Sequence, residues 1–300
     1  MNHGRKVMII SGVLVAALFA GSVISRLQVE SIRGPQATLD ETLYLPSGKT
    51  VKRLSLGYYS LLADIYWTRA VQYFGARHYV RSVGHYELLY PLLDITTDLD
   101  PKLIVAYENG SIFLSQRQPE GAGQPDKAAA LVEKGIRANP TYWRLYFTLG
   151  FIHYTDRHDY KAASEAFQKG SEIPGALPWM KVMAARMAEK GDDPTTATYL
   201  WKTIYDTTTD KTIKDTAAKH LLSLQADLEM DELERRTQAY YERFKKYPEE
   251  WSDLIRAGLL AGIPADPTHT PYNLRLDGTV RVANEKDFPY LERHGAKENK

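Results

Sequence analysis

The chain has 300 residues, 44% of them hydrophobic, which is enough for about two domains or one repeat array with appendages. Its formal net charge of +1 gives no bulk electrostatic case for nucleic acid or an anionic surface. Cysteine is absent, which excludes disulfides, thiolate metal sites, a cysteine nucleophile and a lipidated cysteine, while 20 tyrosines and 5 tryptophans predict an aromatic core with some rings reaching a surface.

Arg5 and Lys6 precede an uncharged run over residues 7–24. As a helix that run is roughly 27 Å long, against a hydrocarbon core of about 30 Å, so it predicts a transmembrane anchor. A cleavable signal peptide has the same basic start and apolar middle, with Ala20-Gly21-Ser22 as its small-x-small site. A soluble buried helix is the third reading. The basic flank favours a cytoplasmic amino terminus, although Arg26 and Arg33 on the far side weaken that. The expectation is a single-pass inner-membrane protein whose bulk is periplasmic, with residues 1–28 as anchor or signal. Residues 29–55 read as a linker broken by Gly34, Pro35, Pro46 and Gly48, with a short strand at 43–45. Gly48-Lys49-Thr50 resembles the tail of a phosphate loop, but Leu43 stands where that loop needs glycine, so a polar turn is expected.

Residues 142–174 hold two amphipathic helical patterns either side of a polar break at 155–159. Small residues fall where the helices would touch: Gly150 in the first, Ala163 and Gly170 in the second. Tyr146, Leu149, Gly150 and His153, then Ala163, Phe167, Gly170 and Pro174, resemble the tetratricopeptide repeat, with its period near 34 residues. The preceding copy uses Ala106, Asn109, Gly110 and Phe113, then Ala128, Val132, Gly135 and Pro140. A copy before that uses Trp67, Ala70, Val71 and Phe74, then Leu89, Leu93, Thr96 and Pro101. The last uses Met180, Met183, Ala184 and Met187, then Ala197, Trp201 and Ile204. Both earlier copies carry extra residues between helices, the first lacks the packing glycine and the last lacks the closing proline. The resemblance implies a tetratricopeptide-like α-solenoid over residues 56–206, whose first helices line a concave protein-binding face.

Residues 207–246 predict capping helices: one over 211–227 and another over 232–246 with Asp231 and Glu234 as a capping box. One long helix is the alternative, since no glycine or proline separates them. Beyond residue 247 come a short helix at 251–260, a tight loop, and a hairpin around Asp277-Gly278, where both turn positions are expected at positive φ. This small α+β unit, 247–300, is similar to the globular head of type II secretion pseudopilins over residues 233–282. The likeness implies a shape and no assembly role, because some two hundred residues separate it from the apolar run. Residues 284–300 are mixed in charge and are expected to fray.

The fold class expected is therefore mainly α: a tetratricopeptide-like solenoid with an amino-terminal transmembrane helix and a small helix-plus-hairpin unit. His78 and His85 lie seven apart, with Glu87 and Asp94 nearby, and His153 and His158 straddle a turn; neither spacing makes a metal site. Asp64, Arg69 and Arg77 could face a groove or solvent. Tyr107, Tyr142, Tyr146 and Tyr154 suit a concave surface and core packing equally. Asp266-Pro267 could offer a carboxylate to calcium, but one aspartate is too few. Asp98 and Asp100 read as cap residues, and the Asn109-Gly110-Ser111 sequon falls inside a helix. No serine-hydrolase elbow, zinc-protease helix or dinucleotide fingerprint occurs.

No catalytic, cofactor or metal site is expected, and no nucleic-acid partner. The expected function is a membrane-held scaffold that grips another protein through Arg69, Tyr107, Asn109 and Tyr146, with the membrane contacted through residues 7–24. A structural part of an envelope assembly is the second reading. An enzyme gathering His78, His85 and Glu87 is the third.

Overall fold

The structure is a computed structural model that describes residues 13, 16–25, 47–80 and 86–292. Residues 16–25 are helical and exposed. The rest of the apolar run, the strand expected at 43–45 and His85 lie outside the described residues. Among the described residues no helix is long and apolar enough to cross a membrane.

The described chain is mainly helical. It runs α1 (Gly48–Leu54), α2 (Tyr59–Val80), α3 (Leu89–Leu99), α4 (Ile104–Ser115), α5 (Pro125–Ala138), α6 (Trp143–Phe151), α7 (Tyr160–Ser171), α8 (Trp179–Lys190), α9 (Pro194–Thr207), α10 (Lys211–Phe244) and α11 (Trp251–Arg256). Two short strands follow, β1 (Asn273–Leu274) and β2 (Val280–Arg281). Helix starts follow side-chain chemistry. Asp159, Asp193 and Asp210 each accept hydrogen bonds from backbone N–H groups of the turn they open, and Pro125 and Pro194 occupy first-turn positions where no N–H is needed.

Helix-to-helix packing is local along the chain. Every substantial contact joins helices no more than two apart in sequence order. The buried side chains accordingly form a relay. One cluster runs from Ala70 to Ala166, a second from Ala163 to Leu224, and a third from Ala226 to Phe288. A small fourth cluster, Val51, Ala63, Ile95 and Leu99, seats α1 on α3.

Close approach depends on the missing side chain at glycine. A Cβ on Gly150 would stand 2.7 Å from the ring of Phe167, which is wholly buried. One on Gly170 would meet the Cβ of Tyr146 at 2.7 Å and Met180 at 2.5 Å, so it sets α7 against both α6 and α8. Lys134 ties the second helices together, pairing with Asp94 at 2.7 Å and Asp98 at 2.5 Å.

Several details differ from the sequence expectation. The turn expected at Gly48-Lys49-Thr50 is the first turn of α1, capped by Ser47, because Gly48 lies directly against Asp98 and makes room there. The break after α6 begins as a π-helical turn over Ile152–Asp156, which carries His153 inward. The two capping helices are a single 34-residue helix, about 51 Å long. Asp231 and Glu234 sit inside it, since nothing at 228–231 disfavours helix and Met230 and Leu233 bury on the same core. The short helix ends at Arg256 rather than 260, and Gly258 follows at φ +73.

The hairpin pairs Asn273 with Arg281 and Leu274 with Val280. Of its turn residues only Gly278 has positive φ, at +81; Arg275 accepts from Gly278 N–H and donates to Thr279. That is a three-residue loop with glycine in the left-handed position, not the two-residue turn expected. The unit docks on α10 through Thr237 Oγ1 to the Gly278 carbonyl (2.7 Å) and Val280 N–H to Glu234 (2.9 Å).

Gly150→Ala gains about 1 kcal/mol of helix propensity. It also forces a methyl group into a buried, rigid ring, which costs about 1–3 kcal/mol. The second effect wins where the neighbour is an aromatic ring rather than a flexible chain end. The variant is expected to unfold at lower urea with an unchanged slope; an equal or higher midpoint would show that Phe167 can yield.

Candidate functional site

The first helices of successive pairs lie side by side. α2 packs on α4 and α4 on α6, and Phe147 of α6 meets Trp179 of α8 edge-on at 5.3 Å. Aromatic rings join them: Phe113 of α4 stacks on Trp67 at 6.2 Å and on Phe74 at 4.2 Å. On α4 the core-facing residues are Ala106, Tyr107, Gly110 and Leu114. Val105, Asn109 and Ile112, at spacings of four and three, form the opposite, exposed stripe. On α6 the equivalent stripe starts at exposed Arg144 and is flanked by half-buried Phe147. Glu108 lies between these stripes. Burial pushes its carboxyl above the usual range, and Arg144 and Tyr142 pull it back. The face thus mixes apolar contact area with a guanidinium, a carboxylate and an amide, which suits a peptide segment better than a small molecule.

The four residues expected to share a groove are not brought together. Tyr107 is completely buried. Its ring lies where a Cβ on Gly135 would have to stand, 2.8 Å away, and its hydroxyl is near Thr97 without a hydrogen bond of good geometry. Burial holds that phenol at a pKa of about 12. A helix with neighbours on three sides buries more than one stripe, and periodicity alone does not show which. Tyr146 points between α5 and α7, lining a cleft of about 530 Å³ with Glu133, Leu149 and His153, and its hydroxyl donates to the Pro140 carbonyl at 3.2 Å. Arg69 is exposed, two positions from Trp67 and so on nearly the opposite side of α2 from α4; its guanidinium lies 5.7 Å from the centre of the Tyr66 ring. Asn109 stands on the exposed stripe of α4.

His153 is buried, and its Nδ1 accepts from Arg157 at 3.2 Å, so the proton of the neutral ring is on Nε2. Burial first, then the Arg157 charge, lowers its pKa below 6.5. His78 stacks on Phe74 at 5.7 Å. Asp266 Oδ1 accepts from Thr268 N–H, Thr268 Oγ1 and Thr270 N–H, an arrangement that shapes its own loop. Among the described residues no group of three or more histidines and carboxylates could hold a metal ion.

One constellation had no signal in the sequence. Glu189 of α8 is buried, and its Oε1 accepts from Trp201 Nε1 of α9 and faces His220 Nδ1 of α10, both at 2.8 Å. The contact is an N–H to oxygen hydrogen bond when His220 carries its proton on Nδ1. The imidazole is covered on both faces, by Trp201 at 4.0 Å and Tyr290 at 3.6 Å. Nearby, Ser223 and Asp227 accept from the backbone N–H groups of Tyr290 and Glu292. A carboxylate–imidazole pair lining an open cleft would suggest acid–base chemistry; here both partners are buried, and the group joins α8, α9, α10 and the carboxyl-terminal segment. A separate cleft of about 610 Å³ runs between α10 and the carboxyl-terminal loop, lined by Leu221, Leu228, Leu260, Pro264 and Tyr272. Tyr272 donates to Glu229 at 2.8 Å, and burial followed by that carboxylate raises its pKa well above the usual phenol.

No protein-family model matches the chain, and no curated protein sequence matches it.

Glu189→Ala strands an indole N–H and an imidazole N–H in the interior and is expected to cost about 2–4 kcal/mol in urea unfolding. Glu189→Gln keeps an acceptor and should lose less; equal stability of both variants and the parent would mean water already serves these groups. For His153 the folded pKa is the lower one, so the unfolded chain takes the extra proton first. Stability is therefore lost as pH falls through 6.5 and regained as it rises. The stability difference between the parent and His153→Gln, measured from about pH 5 to about pH 8, should shift toward the parent with rising pH. A flat difference would place the ring in water.

Proposed function

We propose that the chain is a tetratricopeptide-like α-solenoid scaffold, held at the periplasmic side of a membrane by residues 7–24, which binds an extended or helical segment of another protein across the first helices of its pairs. The observation that carries this is the row of outward stripes on adjacent first helices, Val105, Asn109 and Ile112 on α4 followed by Arg144 and Phe147 on α6. Ile112 is 44% exposed and Trp179 38% exposed, apolar surface that a surface helix normally covers. The pairing of such side chains with Glu108 and Arg144 fits recognition of a peptide with an apolar anchor and polar ends. Asn109 is the one residue kept from the expected groove. Tyr107 has no contact surface to offer, and Tyr146 and Arg69 face elsewhere.

A photo-crosslinking amino acid at Ile112 and at Tyr199, an exposed control on α9, separates this reading from chance. In cells the Ile112 position should yield one discrete product that Tyr199 does not. With the partner so identified, Ile112→Asp should weaken its binding roughly tenfold or more while the thermal midpoint holds. The same product from both positions, or none from Ile112, argues against this face.

A further inference from the structure

α2 is apolar on more than one side. Ala63, Ala70 and Tyr73 are buried against its neighbours, yet Leu61 and Ile65 are exposed. A helix apolar all round needs cover on every side or a non-aqueous surface. Tyr58, Leu61 and Ile65, at spacings of three and four, lie on one line, and the positions that continue it are the polar Thr68 and Gln72. Along that line the exposed apolar surface ends at Ile65; on α2 beyond it, Val71, on the side toward α4, is 38% exposed. Leu54, the last residue of α1, is 73% exposed, and Leu56 in the turn that follows is 88% exposed. Leu56 also has φ +48, a conformation costly for a residue other than glycine, so the backbone is strained where the leucine is held out into solvent.

The charges nearest this surface in sequence are basic. Lys49, Lys52 and Arg53 are exposed on α1, and no acidic residue occurs between 47 and 63. Arg69 stands one turn beyond Ile65 on the same side of α2. Lys52 lies 5.4 Å from the centre of the Tyr59 ring. Asp64, the nearest acidic residue in sequence, stands one turn beyond Leu61, about 60° round the helix from it and about 100° from Ile65, toward α4. Leucines and tyrosines that enter the acyl boundary, ringed by lysine and arginine at headgroup level, are what a protein presents to an anionic bilayer.

We propose that the α1–α2 end of the array is a peripheral membrane-docking face, seated on anionic lipid through Leu54, Leu56, Tyr58, Leu61 and Ile65 and held there by Lys49, Lys52, Arg53 and Arg69. A protein partner of matching chemistry would need acidic and apolar surface together; a bilayer of anionic lipid supplies both without a specific sequence. The proposal stands apart from the protein-binding face, and it holds whether residues 7–24 are an anchor or are removed. It also explains the location of Arg69, turned away from the other first helices.

Because the chain lacks cysteine, one introduced thiol carries one label. Full-length Leu56→Cys and Tyr199→Cys, each bearing an environment-sensitive fluorophore, are mixed with vesicles of phosphatidylcholine, with and without phosphatidylglycerol, that contain a bilayer-embedded quencher. The expected result is quenching at position 56 and not at 199, dependent on phosphatidylglycerol. Replacing Lys49, Lys52 or Arg53 by glutamine should each lower the immersed fraction ratio about fivefold. Four results overturn the proposal. One is a label at 56 that stays in water on vesicles to which the protein is bound, a result that leaves the anchor standing. Another is a label already shielded without lipid, which assigns the face to the chain itself. The third is shielding that rises with protein-to-lipid ratio, which assigns it to a second copy. The fourth is a protein that does not float with vesicles at all, in which case the anchor fails as well.

Discussion

A pair of short helices cannot hide its apolar stripe by itself, and the rest of the molecule follows from that shortage. Burial of apolar surface contributes about 25 cal/mol per Å², so a stripe left open is a liability that the next pair removes by lying against it. The approach has to be close, and glycine makes it so where Phe167 crosses Gly150 and where Tyr146 and Met180 crowd Gly170. The consequence is a core in the form of a relay of clusters, Ala163 and Ala166 of the same helix serving two of them.

A relay has two ends, and this protein closes them differently. The carboxyl-terminal end is sealed by α10, whose first half finishes one cluster with Ala217 and Leu224 and whose second half founds another with Met230 and Leu233. Polar groups reinforce that seal: Glu189 draws together Trp201 and His220, and Tyr290 lies over the imidazole. Such a buried group specifies one docking geometry, since any other leaves charge and N–H groups without partners. At the amino-terminal end, among the described residues, the seven-residue α1 covers α3 rather than the outer side of α2. The open end carries the exposed leucines and the lysines together.

Between the ends, each first helix has three kinds of surface: one toward its own partner helix, one toward its neighbours, and one outward. The same residue type serves different purposes on each. Tyrosine packs against glycine at 107, reaches into a cleft at 146, and is free at 58. Arginine lies over an indole at 144, on a buried histidine at 157, and beside a tyrosine at the open end at 69. Residue identity therefore says little about role until the side is known.

Local periodicity, caps and small residues were enough to read the helix pairs of residues 59–207, because the 3.6-residue repeat and turn chemistry are properties of neighbouring residues. The hairpin near Gly278 was legible for the same reason, though not its loop length, since a lone left-handed glycine serves several turns. Continuity of α10 was not, as it depends on whether two half-helices find cores on a common axis. The placement of Tyr107, Arg69 and Tyr146 was not either: a helix with several neighbours has several stripes, and only the packing shows which one meets solvent. Nor could the meeting of Glu189 with His220, 31 residues apart, be read from spacing. Between residues 59 and 207 sequence determined which segments are helical and which of their positions must be small; tertiary structure decided which sides are covered, because covering is a relation between segments and is not written in any one of them.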